Sequence, residues 1–359
     1  MTLTHRALAR VTALMLKESR QLLRDRATFG MLLGIPILQI ALFGCAIELA
    51  PHSLDISVVA ADQQRFVRIQ RLLASYEGSL HVNHAVSHSA ATAALKRGTT
   101  LIVVDTDAIP PVVYLDATDP VLATQAELMI DRFARSMSGP VEDDAAAPLF
   151  YVNRLYNPGF RTQPLMVSGL LGVILTMSLV MMSALTISRE RERGTMDSLL
   201  TAPVRSFELW VGKLAPYLVL GIIQATLILL IARFAFYIYP ADSIVLLGIG
   251  TLVFAIANLA LGFLFSCVAR QQMQAMQMTF FFFLPSSLLS GFMFPFSAMP
   301  RWAQWFAETL PLTHYLRIVR GLLLRGVDTN FVFEEIVPIV IFAACATGAS
   351  LLVWRRNAA

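Results

Sequence analysis

The sequence predicts an α-helical polytopic membrane protein with six transmembrane helices and an extracytoplasmic α/β domain inserted after the first helix. Composition supports this, because 56% of the 359 residues are hydrophobic and only 14% are charged, whereas soluble domains carry about 25% charged residues. Six apolar runs are each about twenty residues long, which is enough to cross a bilayer. Residues 48–164 have a different, mixed composition, which predicts the inserted domain.

Residues 1–27 form a basic segment with helical periodicity. An apolar stripe faces away from a basic row; the stripe is Leu8, Val11, Met15, Leu22 and Leu23, and the row is Arg6, Arg10, Lys17, Arg20 and Arg24. We expect a cytoplasmic amphipathic helix that lies in the inner membrane interface and leads into the first span, residues 28–47. A solvated cytoplasmic helix is the alternative.

Residues 48–164 alternate between strand and helix patterns, which predicts a small α/β domain. The predicted strands are residues 56–60, 80–86, 101–105 and 112–115, and the predicted helices are residues 64–75, 90–97 and 121–137. No single helix or strand face holds all three of the histidines His81, His84 and His88. We therefore expect them to lie on the surface and not to form a metal site.

Residues 165–359 are predicted to contain the other five spans. These are residues 165–187, 214–236, 244–268, 275–294 and 336–354. Six spans place both termini on one side of the membrane. The predicted inner segments are rich in arginine and lysine, whereas the outer turn 237–243 has neither, so the termini are expected in the cytoplasm.

Residues 188–213 read SRERERGTMDSLLTAPVRSFELWVGK and separate two predicted spans. The segment is too polar to enter the bilayer, which makes it a cytoplasmic loop. Gly194 permits a sharp turn, Thr195 is expected to cap a short helix, and Ser206 is expected to cap the next helix. The short helix has an apolar edge made of Met196, Leu199 and Leu200. A loop with its own helix predicts a docking surface.

Residues 290–326 form an unusual outer segment in which proline breaks separate two amphipathic pieces, residues 300–310 and 312–324. We expect a re-entrant or interfacial helical hairpin at the outer end of a pathway; a lipid-facing anchor is the alternative. The residues expected to shape it are Gly291, Pro295, Pro300, Trp302 and Trp305.

Several activities have no residues to support them. Gly212 and Lys213 lack the upstream glycine of a phosphate-binding loop, and no nucleophile–base set or carboxylate pair suggests hydrolysis. The predicted spans lack the acidic or histidine relay of a proton-coupled carrier. No basic patch with interleaved aromatic residues suggests nucleic-acid binding. We therefore expect a chain that is not an enzyme and receives work from a partner.

The charged loop resembles the cytoplasmic loop of type-2 ABC exporter permeases, whose pattern is E-[KR]-E-R-G-T…L…[TA]-P…E-L…G-K. The matching residues are Glu190, Arg191, Glu192, Arg193, Gly194, Thr195, Leu199, Ala202, Pro203, Glu208, Leu209, Gly212 and Lys213. The outer segment resembles the LSGFxFPxxxMPxWxQW…P…Y…RG run of the same family. Its matching residues are Leu289, Ser290, Gly291, Phe292, Phe294, Pro295, Met299, Pro300, Trp302, Gln304, Trp305, Pro311, Tyr315, Arg320 and Gly321.

This resemblance implies a multidrug-type permease of the bacterial inner membrane that pairs with a second permease, identical or paralogous. It also implies two separate ABC ATPase subunits, which bind ATP and magnesium, so no cofactor is expected on this chain. The residues implied to dock these subunits are Glu190, Glu192, Arg193, Gly194, Thr195, Met196, Leu199 and Leu200. The candidates to line the path are Gln39, Met177, Met181, Phe280 and Phe283.

The apolar spans favour export of an amphipathic drug-like or lipid-like solute. A glycan exporter is one rival. Another is a non-transporting machine that relays ATP hydrolysis in the cytoplasm to a periplasmic partner. Membrane lipid is an expected partner, and a periplasmic adaptor is compatible with the outer domain.

Overall fold

A computed structural model describes residues 3–24, 53–59, 79–85, 87–106, 111–138, 151–157, 162–196, 199, 201, 204–238, 243–296 and 299–358. The predicted first span at residues 28–47, which contains Gln39, and the predicted helix at residues 64–75 lie outside the described residues.

A five-stranded sheet is built from the segment that follows the first predicted span. Its strands are β1 (Ser53–Val59), β2 (Ser79–Ala85), β3 (Ile102–Asp105), β4 (Val112–Asp116) and β5 (Tyr151–Leu155). Their order in the sheet is β2-β1-β3-β4-β5, and every pair is parallel except the antiparallel β3–β4 pair. Two helices accompany the strands, α2 (His88–Arg97) and α3 (Pro120–Ser138).

A helix packs on each face of the central strands, because alternate side chains of a strand point to opposite faces. Ile56 and Ile102 point to a cluster with Ala126 of α3, whereas Val59 and Val103 point to a cluster with Leu95 of α2. Because successive residues of a strand point to opposite faces, one strand supplies both clusters. The result is an α/β unit with a helix on each side.

β5 is not among the strands that the sequence predicts. It pairs with β4, yet its first four residues are exposed and only Leu155 is partly buried. Without a buried face it has no alternation of apolar and polar residues, which is the signal that predicts a strand. The four predicted strands match β1 to β4 with small shifts at their ends.

The remaining chain is helical. The long helices are α1 (Leu3–Arg24), α4 (Thr162–Glu192), α5 (Ser206–Ala235), α6 (Ile244–Val268), α7 (Gln272–Leu289) and α10 (Thr329–Ala358). Within the described residues, four helices are long and apolar enough to cross a membrane: Gln163–Glu192, Ser206–Ala235, Ile244–Val268 and Thr329–Arg356. The chain is therefore a polytopic helical membrane protein.

α7 differs from the span predicted at residues 275–294. It ends at Leu289, because Ser290 caps it and Gly291 turns the chain with a φ of 85°. It is not among the four candidate spans. Three glutamines in its first two turns lower its hydropathy: Gln272, Gln274 and Gln277.

α4 is the central helix of the bundle and packs against α5, α6 and α7. It approaches α6 so closely that a Cβ atom at Gly262 would overlap the hydroxyl of Ser183 and the carbonyl of Val180. Ser266, one turn further along α6, accepts hydrogen bonds from the backbone amides of Ile187 (2.6 Å) and Ser188 (3.2 Å). The C-terminal half of α4 is thus bound tightly to α6.

The outer segment folds into α8 (Arg301–Ala307), α9 (Pro311–Arg320) and a π-helix (Gly321–Arg325). α9 packs against α4, α6 and α10, and its Tyr315 stacks on Phe254 of α6 with ring centroids 4.0 Å apart. Trp302 and Trp305 on α8 are 70% and 77% exposed. Thus the second helix of the predicted hairpin, α9, packs within the bundle. The first helix, α8, has its two tryptophans exposed on the surface.

The other residues expected to shape this segment occupy its turns. Pro300 is the N-cap residue of α8, which begins at Arg301. Pro295 is partly buried in the turn between Gly291 and α8. The carbonyl of Gly291 accepts a hydrogen bond from Arg320 Nη2 at 2.9 Å, which fixes this turn to the end of α9.

Candidate functional site

The end of α4 carries the charged motif beyond the apolar part of the helix. Gly194 ends the helix with a φ of 68°, and the amide of Thr195 donates to the carbonyl of Glu190 at 3.0 Å. No atom lies within 4 Å of a Cβ built on Gly194, so the turn is set by the backbone conformation and not by crowding. The chain therefore reverses at the position where the sequence predicts a sharp turn.

Glu190 lies inside the protein, in a cluster of charged side chains from α1, α4 and α5. Its Oε1 atom is 2.7 Å from Lys17 Nζ and 3.1 Å from Lys213 Nζ, and its side chain is only 7% exposed. Lys213, with no exposed side-chain surface, also forms a salt bridge with Glu18. Two lysines and two glutamates balance in charge, which is the condition under which ions tolerate burial.

The same cluster extends to two hydroxyl groups. The Tyr217 hydroxyl donates to Glu18 at 3.3 Å, and the Thr195 hydroxyl donates to Glu190. Thr195, which was predicted to cap a short helix, accepts a hydrogen bond at its carbonyl from the amide of Leu199 at 3.2 Å, while its hydroxyl donates to Glu190. The first residue after the turn is thereby bound to the buried cluster.

α1 packs along α5, and Arg10 and Glu18 of α1 form ion pairs with it. Arg10 binds both carboxylate oxygens of Glu208, at 2.9 and 2.7 Å, and the hydrogen bonds to Glu208 raise the pKa of Arg10. Gly212 is needed at the crossing, because a Cβ there would lie 2.8 Å from the Cβ of Leu14. Leu8, from the predicted apolar stripe, is 64% exposed. Arg10 of the basic row therefore faces α5, whereas Leu8 of the apolar stripe lies on the exposed surface of α1.

Arg191 binds the end of α6. Its Nη1 donates to the carbonyl of Ala269 at 2.5 Å, and its Nη2 donates to the carbonyl of Cys267 at 3.0 Å. The last carbonyls of a helix have no partners within the helix and carry partial negative charge, so a guanidinium is well suited to satisfy them.

Glu192 binds the beginning of α7. Its carboxylate accepts a hydrogen bond from the backbone amide of Gln272 at 2.6 Å and another from the Gln272 side chain. The first amides of a helix are likewise unpaired and favour an anion. Glu190, Arg191 and Glu192, together called the junction, thus bind the end of α4 to α1, α5, α6 and α7.

The predicted docking residues separate into two groups. Glu192, Arg193, Gly194 and Thr195 are exposed at the tip of the loop. Glu190 is buried, Leu199 is 9% exposed, and Met196 packs against the bundle core, so these three side chains support the loop from inside. Leu200 lies outside the described residues.

The next helix begins one residue away from the predicted cap. α5 starts at Ser206, and Arg205 is the N-cap residue in place of the predicted Ser206. The backbone amide of Arg205 donates to Glu208 Oε2 at 3.1 Å. Glu208 therefore satisfies a backbone donor of the loop while it binds Arg10 of α1.

The path candidates lie on two helices that pack together. Met177 and Met181 are half-buried on α4, one turn apart. On α7, Phe280 is 52% exposed and Phe283 packs against the bundle core. Gln39 lies outside the described residues.

Residues 26–352 of this chain match a family whose description is ABC-2 family transporter protein. The matched range includes the junction and the outer segment. The chain belongs to this family. As a member of the ABC-2 family it is a multi-pass membrane permease of a transporter complex that includes ATPase partners.

Two relatives cover nearly the whole chain. The probable multidrug ABC transporter permease YbhR of Escherichia coli (strain K12) is 25% identical over 363 residues, which is 97% of this chain and 99% of YbhR. The probable multidrug ABC transporter permease YbhS of the same strain is 27% identical over 368 residues, 97% of this chain and 96% of YbhS. The linearmycin resistance permease protein LnrN of Bacillus subtilis (strain 168) is 27% identical over 186 residues, 51% of this chain and 47% of LnrN.

Within this ABC-2 permease, sequence reasoning missed the internal partners of the motif. A lysine at the start of an apolar span, Lys213, signals a carboxylate partner because an unpaired ammonium is costly at that depth. Glu18 was available on a helix that ends just before the first predicted span. The capping role of Arg191 had no local signal, because its acceptors are backbone carbonyls near residue 268.

Proposed function

We propose that this ABC-2 permease forms the translocation path of an ATP-driven exporter and that two ATPase subunits dock on the exposed tip, residues 192–195. ATP-driven closure of those subunits pushes the tip, and the junction transmits the movement to the helices bound to it. The cargo is an amphipathic drug-like or lipid-like solute. The loop and both termini lie in the cytoplasm, and the sheet lies outside the cell membrane.

The observation that carries this proposal is the junction itself. Three consecutive residues bind the tip to four helices through a buried ion cluster, a C-terminal cap and an N-terminal cap. A loop that only connected two spans would need none of these contacts. Work applied at residues 192–195 therefore reaches α1, α5, α6 and α7 together.

A second permease completes the path on the exposed side of α7. Phe280 and Phe281 are 52% and 80% exposed there, and α7 packs on α4, which carries Met177 and Met181. The names of YbhR and YbhS as probable multidrug permeases, and the scarcity of charge in the described spans, support amphipathic cargo.

Docking and transmission are tested by different variants of the complex purified from native membranes in a gentle detergent. Arg193→Glu reverses an exposed charge of the tip, and we expect the ATPase subunits to be lost. Arg191→Gln removes the cap on α6 behind the tip. We expect it to keep the ATPase subunits but to lose stimulation of ATP turnover by ethidium.

Arg355→Glu is the matched control, because Arg355 is an exposed arginine at the end of α10 and not part of the tip. It should retain both properties. Full retention of the ATPase subunits by Arg193→Glu would refute docking on the tip, and normal ethidium stimulation in Arg191→Gln would refute transmission through the junction.

A relay to a periplasmic partner is the second candidate, because a buried ion pair joins the sheet to the bundle. Arg325 of the π-helix binds Asp116 at the end of β4 with an Nη2–Oδ2 distance of 2.7 Å. Deletion of residues 54–148 distinguishes the two functions. An exporter keeps part of its ethidium-stimulated ATP turnover after the deletion, whereas a relay loses all output.

A further inference from the structure

A cavity of about 390 Å³ lies where the sheet meets the outer end of the bundle. Its walls come from the start of α4, the end of α5, the π-helix and the residue that follows β5. The volume falls within the roughly 300–1,000 Å³ of small-molecule pockets. Neither the junction nor the predicted path residues contribute to it.

Two tyrosines in this cavity have backbone conformations that bulky residues rarely adopt. Tyr156 has a φ of 69° and Tyr237 has a φ of 55°, and they are the non-glycine residues with positive φ in the described part of the chain. Both line the same cavity. Such conformations persist only where the surroundings enforce them, and they concentrate at ligand-binding sites.

The lining combines apolar and uncharged polar surface in nearly equal parts. Leu323 and Leu324 of the π-helix and Phe236 after α5 supply apolar surface, whereas Gln163 and the two tyrosines supply hydrogen-bonding groups. No described residue of the lining is charged. The described lining therefore favours a neutral ligand with an apolar body and hydrogen-bonding groups.

The position of the cavity indicates where such a ligand would come from. Gln163 begins one candidate membrane span and Ala235 ends another, and both line the cavity. The cavity therefore lies at the boundary between the membrane and water, where amphiphiles concentrate with their polar ends outward.

We propose that this cavity binds a neutral amphiphile, with its alkyl or aromatic body against Leu323 and Leu324 and its hydrogen-bonding head toward Gln163 and the tyrosines. The site is separate from the ATPase docking surface. Its occupancy does not require the proposed export function, so either proposal can fail alone.

The test is photolabelling of the purified permease with azioctanol, which is octanol carrying a diazirine. We expect adducts, mapped by mass spectrometry, on Tyr156, Tyr237 and their neighbours in the lining, and their loss when excess octanol is present. Ala235→Trp fills the cavity from the exposed end of α5, and we expect labelling there to fall by about tenfold.

Val245→Trp is the matched control: Val245 is 65% exposed at the outer end of α6 and does not line the cavity. It should leave labelling unchanged. If Ala235→Trp disturbs folding, Leu324→Ala enlarges the same cavity and should extend labelling to the longer diazirine derivative of decanol.

Adducts spread over exposed bundle positions such as Val219 and Ile223, without competition by octanol, would overturn the proposal. Equal labelling of the wild type and a folded Ala235→Trp would also overturn it. Adducts seen in lipid-free amphipol but lost in phospholipid nanodiscs would support the site and identify a membrane lipid chain as its occupant. Adducts that persist in nanodiscs would support the site for a separate solute.

Discussion

Lys213 and Glu190 form a salt bridge of 3.1 Å at a position where the lysine side chain has no exposed surface. Glu18, 195 residues away in sequence, binds the same ammonium group. Lys213 thus joins the first helix of the chain to the charged motif of α4. This contact stabilises the folded protein only when Lys213, Glu190 and Glu18 are all present.

Lys213→Met should strongly destabilise the protein. It leaves Glu18 buried without a cation, and removal of one partner from a buried ion pair typically costs about 3–5 kcal/mol. Thermal unfolding of the detergent-purified permease measures the effect. Lys17→Met is the comparison: Lys17 is 50% exposed and Glu190 keeps Lys213 as a cation, so we expect a smaller loss of stability than in Lys213→Met.

The double variant Glu18→Met/Lys213→Met tests the cause of that loss. Replacement of both ions by apolar side chains removes the unpaired charge, so it should recover much of the stability lost in Lys213→Met. A double variant less stable than Lys213→Met would show that the single variant acts by packing alone.

Most of the fold could be predicted because its signals are local. α6 spans the predicted residues Ile244–Val268, since it is bounded by polar turns and apolar along most of its length. β5 could not be predicted, because it is exposed on both faces and shows no periodicity. A strand of this type is recognised only through its partner β4.

The candidate site could likewise be predicted only in part from the sequence. The motif and the turn at Gly194 were visible in sequence, because glycine and charge density are local features. The partners of the side chains were not visible: Arg10 and Lys17 were placed opposite the apolar stripe of α1, but nothing in the sequence paired them with Glu208 and Glu190. Contacts with residues about 200 positions away in the sequence set the rotation of α1 about its own axis. The periodicity of the local sequence gives no information about such contacts.

The contact between the sheet and the bundle should depend on Arg325. Asp116 is 2% exposed, and Arg325→Met would leave its carboxylate buried with the amide of Thr118 as a remaining donor. We expect a loss of about 3–5 kcal/mol in the free energy of unfolding of this region. Limited proteolysis of the sheet domain, followed over time, measures it.

Lys96→Met provides the comparison at the same surface. Lys96 lies 3.3 Å from Asp328, but the two side chains are 38% and 83% exposed, so the pair contributes about 1 kcal/mol at most. Equal proteolysis rates for Arg325→Met and Lys96→Met would show that the buried pair does not hold the sheet in place.

His314 should make stability depend on pH. Its Nδ1 lies 2.6 Å from Glu335 Oε2 and its Nε2 lies 2.9 Å from the carbonyl of Glu308. Both partners are acceptors, so only the protonated ring satisfies both. Burial lowers the pKa of His314, but hydrogen bonds to Glu335 and Glu308 and the charge of Glu335 outweigh burial and raise it, against the repulsion of Arg317.

A pKa that is higher in the folded state stabilises the protein most below the unfolded value, about 6.5, and the gain is lost as pH rises through the folded pKa. The midpoint of thermal unfolding should therefore fall across this range in the wild type. His314→Gln should show a flatter profile, since glutamine does not titrate. Parallel profiles for the two proteins would exclude a protonated His314.

Gly194→Val should disrupt the exposed tip by backbone strain alone. Gly194 has a φ of 68°, which a β-branched residue resists, and no atom lies within 4 Å of an added Cβ. We expect an energetic cost of about 1–3 kcal/mol at this turn and weaker association with the ATPase subunits in the purified complex. Gly194→Asn is the matched variant, because asparagine tolerates the left-handed conformation and adds a side chain of similar size. If Val and Asn weaken association equally, the added side chain obstructs docking and the turn geometry is not the cause; if only Val weakens it, the left-handed turn is what presents residues 192–195 to the partner.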